Sequence, residues 1–291
     1  MARLEVAAIK GRLMFALLLI SLAPLAAAQG TYTQIDVPGA IQTATNGIDS
    51  AGDLVGVYED ASDAYHGFLL SNGTYTTIDY PAHTHRSTIL NGINDVGQIV
   101  GYASPGLGVL SFLYDLQTQT FTTLNYRGVD GTSAFSINNA GTVVGFINDS
   151  RVVGFEWTGS AYHEILPPGQ TEAEVTAITG AGKLIGYYTG NLMFSFYNGR
   201  YRQIAIPNAP GALILGVNNA GTIVVGSYSP SLCQYCSFVY QNNTLQLLQF
   251  PGSIETSATG VNDGGEVVGS FRDASGGEHG FTWTPPADPR K

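Results

Sequence analysis

Short apolar runs, each ended by a cluster of Asn, Asp, Ser or Gly, follow one another along nearly the whole chain. The segment from Leu90 to Tyr126 shows the pattern. Apolar runs at Leu90 to Ile93, Ile99 to Tyr102, Phe112 to Tyr114 and Phe121 to Tyr126 are rich in Val, Ile, Thr and aromatic residues. Runs this short with that composition predict strands rather than helices. Between the first two lies Asn94-Asp95-Val96-Gly97. Asn or Asp at the first turn position caps the turn with its side chain, and glycine at the fourth takes positive φ, so a type I turn with a bulge is expected. Each unit is therefore four short antiparallel strands, named a to d in chain order.

The first hairpin of this unit recurs as one phrase in six copies. They begin at Gly47, Gly92, Ser136, Ala177, Gly216 and Gly260, and the second copy reads GINDVGQIVG. Their turn glycines at 52, 97, 141, 182, 221 and 265 are separated by 45, 44, 41, 39 and 44 residues. A period in that range with four strands per unit predicts the blade of a β-propeller, since a β-helix coil would be about half as long. Copy six reaches strand c at His279 to Thr284 and then meets Pro285-Pro286, with no strand d. The missing strand stands at the other end: Thr31 to Pro38 matches Thr74 to Pro81 almost residue for residue. The fold class is thus all-β, a six-bladed propeller with four antiparallel strands per blade, closed by the N-terminal strand completing the last blade. In copy five, Gly221 to Gly226 spans five steps where the others span four, which predicts a β-bulge in strand b.

The phrase GIN(D/N)xGxxVG, followed by HGF(L/T) and (T/Q)IDxPG, resembles the HAF repeat of extracellular bacterial repeat proteins. The resemblance covers nearly all of the chain beyond the leader. Departures fall at Thr179-Gly180, where the Asn-Asx pair is lost, and at Tyr126-Arg127-Gly128, where Pro-Gly is lost. It implies export and a repeat fold, and it brings no catalytic residues.

The ends and the composition narrow the compartment and the partners. Arg3, Lys10 and Arg12 precede an apolar run from Leu13 to Ile20, and Ala26-Ala27-Ala28 offers a small-residue cleavage site. Residues 1–28 read as a signal peptide, 29–285 as the propeller and 286–291 as a disordered tail. A secreted or extracytoplasmic monomer with no stable membrane insertion is expected. Removing Arg3, Lys10, Arg12 and Glu5, a net of +2, from a formal charge of −10 leaves −12. Such a surface repels phosphate backbones, so nucleic acid is not an expected partner.

Topology then says where to look for function. Turns a to b and c to d share one face of the disc, while the b to c and d to a loops vary from copy to copy on the other, where a rigid scaffold can present diverse side chains near the central channel. The repeated Asn and Asp at 49, 94, 138, 218 and 262 read as turn caps, too few per turn for calcium. His66 and His279 recur at one repeat position and read as structural hydrogen-bond partners opening strand c. The loop His83-Thr84-His85-Arg86 occurs once, and the b to c loop of blade five holds Tyr228, Tyr235 and the chain's two cysteines, Cys233 and Cys236. Ligand-binding candidates are therefore His83, His85, Arg86, Tyr228 and Tyr235, with Cys233 and Cys236 expected as a short-loop disulfide in an oxidising compartment.

No catalytic residue, cofactor or metal is assigned. There is no G-x-S-x-G elbow, H-E-x-x-H pair or phosphate loop. Among the acids placed on the variable face are Glu59, Asp60, Asp63, Asp130, Asp149, Glu172, Glu174 and Asp273, two of which could flank a glycosidic bond. Tyr58, Tyr65, Tyr102, Tyr187 and Tyr188 could stack on sugars or pack the blades. The expected function is an exported binding or scaffold propeller for an extracellular glycan or protein. A carbohydrate-active or metal-assisted hydrolase or lyase, and a structural cell-surface component, remain the alternatives.

Overall fold

The computed structural model describes residues 30–81, 87–104, 108–126, 128, 131–207, 209–227 and 235–287. After β1 (Thr31–Ile35), blade one is β2 (Gln42–Ile48), β3 (Leu54–Glu59), β4 (Tyr65–Ser71) and β5 (Thr74–Thr77). Blade two is β6 (Thr88–Ile93), β7 (Gln98–Ala103), β8 (Leu110–Asp115) and β9 (Thr120–Leu124). Blade three is β10 (Thr132–Ile137), β11 (Val143–Asn148), β12 (Val152–Trp157) and β13 (Tyr162–Ile165). Blade four is β14 (Ala173–Ile178), β15 (Leu184–Tyr188), β16 (Leu192–Tyr197) and β17 (Arg200–Ile204). Blade five is β18 (Leu213–Val217), β19 (Ile223–Ser227), β20 (Ser237–Gln241) and β21 (Thr244–Leu248). Blade six is β22 (Glu255–Val261), β23 (Val267–Arg272) and β24 (Glu278–Thr284), and β1 pairs with β24 from Thr31↔Thr284 to Ile35↔Gly280 as its fourth strand. The first strand of every blade touches the first strands of both neighbours, so these six surround the axis.

One pairing explains much of the repeated phrase. The last glycine of each copy stands opposite the phenylalanine of strand c, as in Gly56↔Phe68, Gly145↔Phe155 and Gly269↔Phe281. All six such phenylalanines are at most 1% exposed. A Cβ at Gly56 would run into the Ala44 carbonyl and the Phe68 ring, so only glycine leaves the ring its place. Burying each ring stabilises the fold by about 1.5–3 kcal/mol. The apolar core is divided accordingly among the blade interfaces: one cluster joins Val225 and Leu248 of blade five to Val267 and Phe281 of blade six, and another joins Val55 and Ile78 to Leu90 and Phe112.

The polar residues of the phrase cap the turns and tie the blades. Asn94 Oδ1 accepts from Gln98 N at 2.8 Å, while its Nδ2 donates to the Asn138 carbonyl of the next blade at 2.9 Å. Asn262 likewise donates to the Asp49 carbonyl at 3.1 Å. In copy four, where the Asn-Asx pair is lost, the Thr179 hydroxyl accepts from Lys183 N at 3.0 Å and keeps the turn.

The extra residue of copy five does not make a bulge in strand b. β19 pairs with β20 without a shift, from Ile223↔Gln241 to Ser227↔Ser237. The added position lengthens the a to b turn, where Asn218 Oδ1 accepts from both Thr222 N and Ile223 N at 2.9 Å. The bulges lie in strand a and occur in all six blades, between Thr45 and Gly47, Leu90 and Gly92, Ala134 and Ser136, Val175 and Ala177, Ile214 and Gly216, and Ala258 and Gly260.

Candidate functional site at the mouth of the central channel

A bulge leaves one residue unpaired and turns it out of the ladder. Because every bulge here lies in an innermost strand, the six unpaired residues, Asn46, Asn91, Phe135, Thr176, Leu215 and Thr259, line a cavity of about 220 Å³ on the axis. Glu174 and Tyr187 complete its lining. Both belong to blade four, as register partners in β14 and β15 near the variable-loop face, and the Tyr187 hydroxyl donates to Glu174 Oε2 at 2.6 Å. Burial, reinforced by the adjacent carboxylate, pushes the Tyr187 phenol well above its ordinary value.

The opposite end of the channel is closed by side chains from the second turn position of the phrase. Asp95 of blade two accepts from Asn139 Nδ2 at 2.6 Å and, across the axis, from Asn219 Nδ2 of blade five at 3.3 Å. Its other oxygen accepts from Ser50 N at 2.8 Å. Burial acts to raise the Asp95 carboxyl, but the Asn139 amide and Ser50 outweigh it and hold the carboxyl below its usual range. The channel is therefore a cup, with its floor at the a to b turns and its mouth toward the variable loops.

Two further clusters stand on the variable face. His66 lies between Asp79, 2.7 Å from Nδ1, and Asp60, 3.2 Å from Nε2, with Tyr58 stacked on its ring at 5.0 Å. His279 repeats the arrangement with Asp36 at 2.9 Å, Asp273 at 3.5 Å and Phe271 stacked at 5.1 Å. Each imidazole thus ties a b to c loop to the segment after strand d, which is the structural role expected of it. Burial acts to lower both imidazoles, but their carboxylate partners outweigh it and raise them. Hydrogen bonds from Ser275 and Gly277 hold the Asp273 carboxyl down at about 2.

Of the sequence-derived candidates, His83, His85, Arg86, Tyr228 and Cys233 lie outside the described residues. Tyr235 is 55% exposed, and its carbonyl accepts from Thr256 N at 3.0 Å, which places it at the seam of blades five and six rather than among the residues lining the cup. Cys236 is buried and disulfide-bonded. It precedes β20 at the repeat position held by His66 and His279, two residues before the strand c phenylalanine. Glu174 and Tyr187 stood separately among the acids and tyrosines of the variable face, and the structure brings them together. Sequence reasoning passed over the bulge residues, although a signal was present. The position just before each copy of the phrase reads Asn, Asn, Phe, Thr, Leu and Thr, variable beside an otherwise repeated run.

No protein-family model matches the sequence, and no curated protein matches it. Among solved structures the chain is similar to TolB from Acinetobacter baumannii, at 14% identity and a TM-score of 0.55 over 85% of this chain and 65% of that one. The chain thus spans somewhat less than two thirds of the TolB chain. It is also similar to a gluconolactonase from Xanthomonas campestris, at 13% identity and a TM-score of 0.53 over 90% and 93% of the two chains. A third is the Aleuria aurantia lectin in complex with Fucα1-6GlcNAc, at 11% identity and a TM-score of 0.50 over 88% and 95%. At these identities the likeness is one of fold, and the class is the β-propeller, here six-bladed.

Proposed function

We propose that this protein is an exported binding propeller that takes one group of an extracellular ligand, a glycan or a protein, into the cup at its variable-loop face. One observation carries the reading: the axial channel is floored by Asp95 and Asn219 and opens at the other face, with a lining of Asn, Asn, Phe, Thr, Leu and Thr that does not follow the six-fold repeat. Six repeats built for structure alone have no need of four different residue types at the one axial position. The leader-like residues 1–28 and the resemblance to extracellular HAF repeats support export. The similar Aleuria aurantia lectin in complex with Fucα1-6GlcNAc supports a saccharide as one ligand class for such a scaffold.

Glycoside hydrolysis on two carboxylates is less well supported, because that chemistry takes a pair of free ones, and Glu174 is the one carboxylate among the described residues lining the mouth of the cup, while Asp95 at the floor is engaged by Ser50, Asn139 and Asn219. The test is binding of the labelled protein to an array of short glycans and extracellular-matrix proteins, beside the variant Leu215→Trp, which fills the cup from its wall. Binding that disappears in the variant while its circular dichroism and melting temperature hold supports the reading. Binding that survives, or no binding on any spot, overturns it.

A further inference from the structure

Resting on that reading, we infer that the group held in the cup is an unacetylated amino sugar, with its ammonium on Glu174 and its ring hydroxyls on the amide oxygens of the channel wall. The inference comes from which hydrogen-bonding groups of the lining are already engaged. Asn46 Nδ2 donates to the Leu90 carbonyl at 2.9 Å and Asn91 Nδ2 to the Ala134 carbonyl at 2.8 Å. Since both partners are acceptors, the amide nitrogens must face them, and each Oδ1 is turned the other way. Neither Oδ1 takes a hydrogen bond from any described residue.

The hydroxyls are arranged alike. Thr176 Oγ1 donates to the Ile214 carbonyl at 2.8 Å, Thr259 Oγ1 to the Thr45 carbonyl at 3.2 Å, and Tyr187 to Glu174. A hydroxyl has one proton to give, so what these side chains still offer a ligand is lone pairs. The Glu174 carboxylate adds further lone pairs and the only formal charge among the described residues lining this mouth-side cavity, the Asp95 carboxylate at the floor being engaged by Ser50, Asn139 and Asn219. A wall rich in acceptors and carrying a negative charge rejects anions, because their oxygens would meet oxygens, and rewards a cation rich in N–H and O–H donors.

Size and shape narrow the class. A bare divalent ion wants six to eight oxygens and several carboxylates, whereas this cavity of about 220 Å³ has one carboxylate and a wall that includes Phe135 and Leu215. No group of three or more His, Cys, Asp or Glu suited to a metal occurs among the described residues. A lysine ammonium would satisfy Glu174, but its methylene arm would leave the acceptors of Asn46 and Asn91 without donors. An amino sugar supplies the charge, several hydroxyl donors around one ring, and a C–H face for the Phe135 ring. N-Acetylation removes the charge and replaces it with a bulkier amide.

The experiment is calorimetric titration at about pH 6, where an alkyl amine is protonated, with glucosamine, N-acetylglucosamine, glucose and lysine amide. The intact propeller is compared with Glu174→Gln, Leu215→Trp and Glu172→Gln, the last an exposed carboxylate that does not line the cup. The expected result is that glucosamine binds at least about tenfold more tightly than the other three probes. That preference is expected to vanish in Glu174→Gln, to persist in Glu172→Gln, and all binding to be lost in Leu215→Trp. Equal or tighter binding of N-acetylglucosamine, glucose or lysine amide overturns the inference, as does a preference that survives in Glu174→Gln. If a neutral sugar binds and Leu215→Trp abolishes it, the cup is upheld as a ligand site and only the amine is refuted. No binding of any probe overturns the amine and leaves the cup to be judged on the array.

Discussion

At Gly145 even a methyl group would collide with the Ser133 carbonyl, and the register partners of this glycine are Ala134 on the strand a side and the buried Phe155 on the strand c side. Gly145→Val is expected to lower stability by about 3 kcal/mol or more, as overpacked and strained core positions do, read as a fall in the urea midpoint. Phe155→Ala, which removes the ring and leaves the glycine, is expected to cost about 3–5 kcal/mol. A midpoint unchanged in either variant would contradict the pairing of glycine and phenylalanine as the basis of the repeat. Asn94 is 2% exposed and works at both ends of its amide. Asn94→Ala removes the turn cap and leaves the Asn138 carbonyl without that donor, for an expected loss of about 1–3 kcal/mol. Asn94→Asp tests the two roles apart, since a carboxylate keeps the cap but cannot donate to Asn138, and an intermediate midpoint is expected.

Between strands, the position of an inserted residue decides what it disturbs. Thr222 lies in the a to b turn of blade five, outside the β18–β19 ladder, whose terminal pair Val217↔Val224 plays the part of Ile48↔Leu54 in blade one. Deleting Thr222 is expected to give blade five the turn length of the other copies and to change stability by no more than about 1 kcal/mol, measured by thermal unfolding. A collapse of the fold would instead mean that the residue belongs to the strand. Strand order, blade number and closure were legible in the sequence because a repeated phrase states each hairpin six times and Thr31–Ile35 matches Thr74 onward. The channel was not legible in the same way. Its lining depends on a bulge, and a bulge is invisible to an alternation of apolar and polar positions when the residue after it is as small as Gly, Ala or Ser. The floor was misread for a different reason: Asp95 and Asn219 look like ordinary turn residues, and only the ring brings blade two within 3.3 Å of blade five.

For the whole ring, stability depends on one seam, where residues near the start of the chain meet β24. Tyr32 packs its ring edgewise on Phe250 at 5.5 Å and near Phe281 at 5.9 Å, and its hydroxyl accepts from Gln249 N at 3.1 Å. Removing residues Tyr32 to Val37 is expected to lower the melting temperature sharply, because it exposes the edge of β24 and opens the ring. The seam also carries a pH dependence. His279 is bound to Asp36, just beyond β1, and His66 to Asp79 at the equivalent place in blade one. Both imidazoles are raised above 6.5 in the folded protein. Their stabilisation is therefore fully present below the unfolded value of about 6.5 and is lost as pH rises through the higher folded value. The lowered carboxyls of Asp60 and Asp273 act at the other end of the scale, contributing above the unfolded value of 3.8 and losing that contribution as pH falls through their folded values, about 2 for Asp273. Thermal melts from about pH 6 to about pH 9 should show a falling melting temperature in the intact chain. The fall should be about half as large in His279→Gln, which retains the blade-one cluster, and close to absent when His66→Gln is added. Because only His279 reaches the closing strand, its variant alone should also speed proteolysis within residues 31–37, and cleavage there at the same rate in both single variants would separate the histidine from the closure.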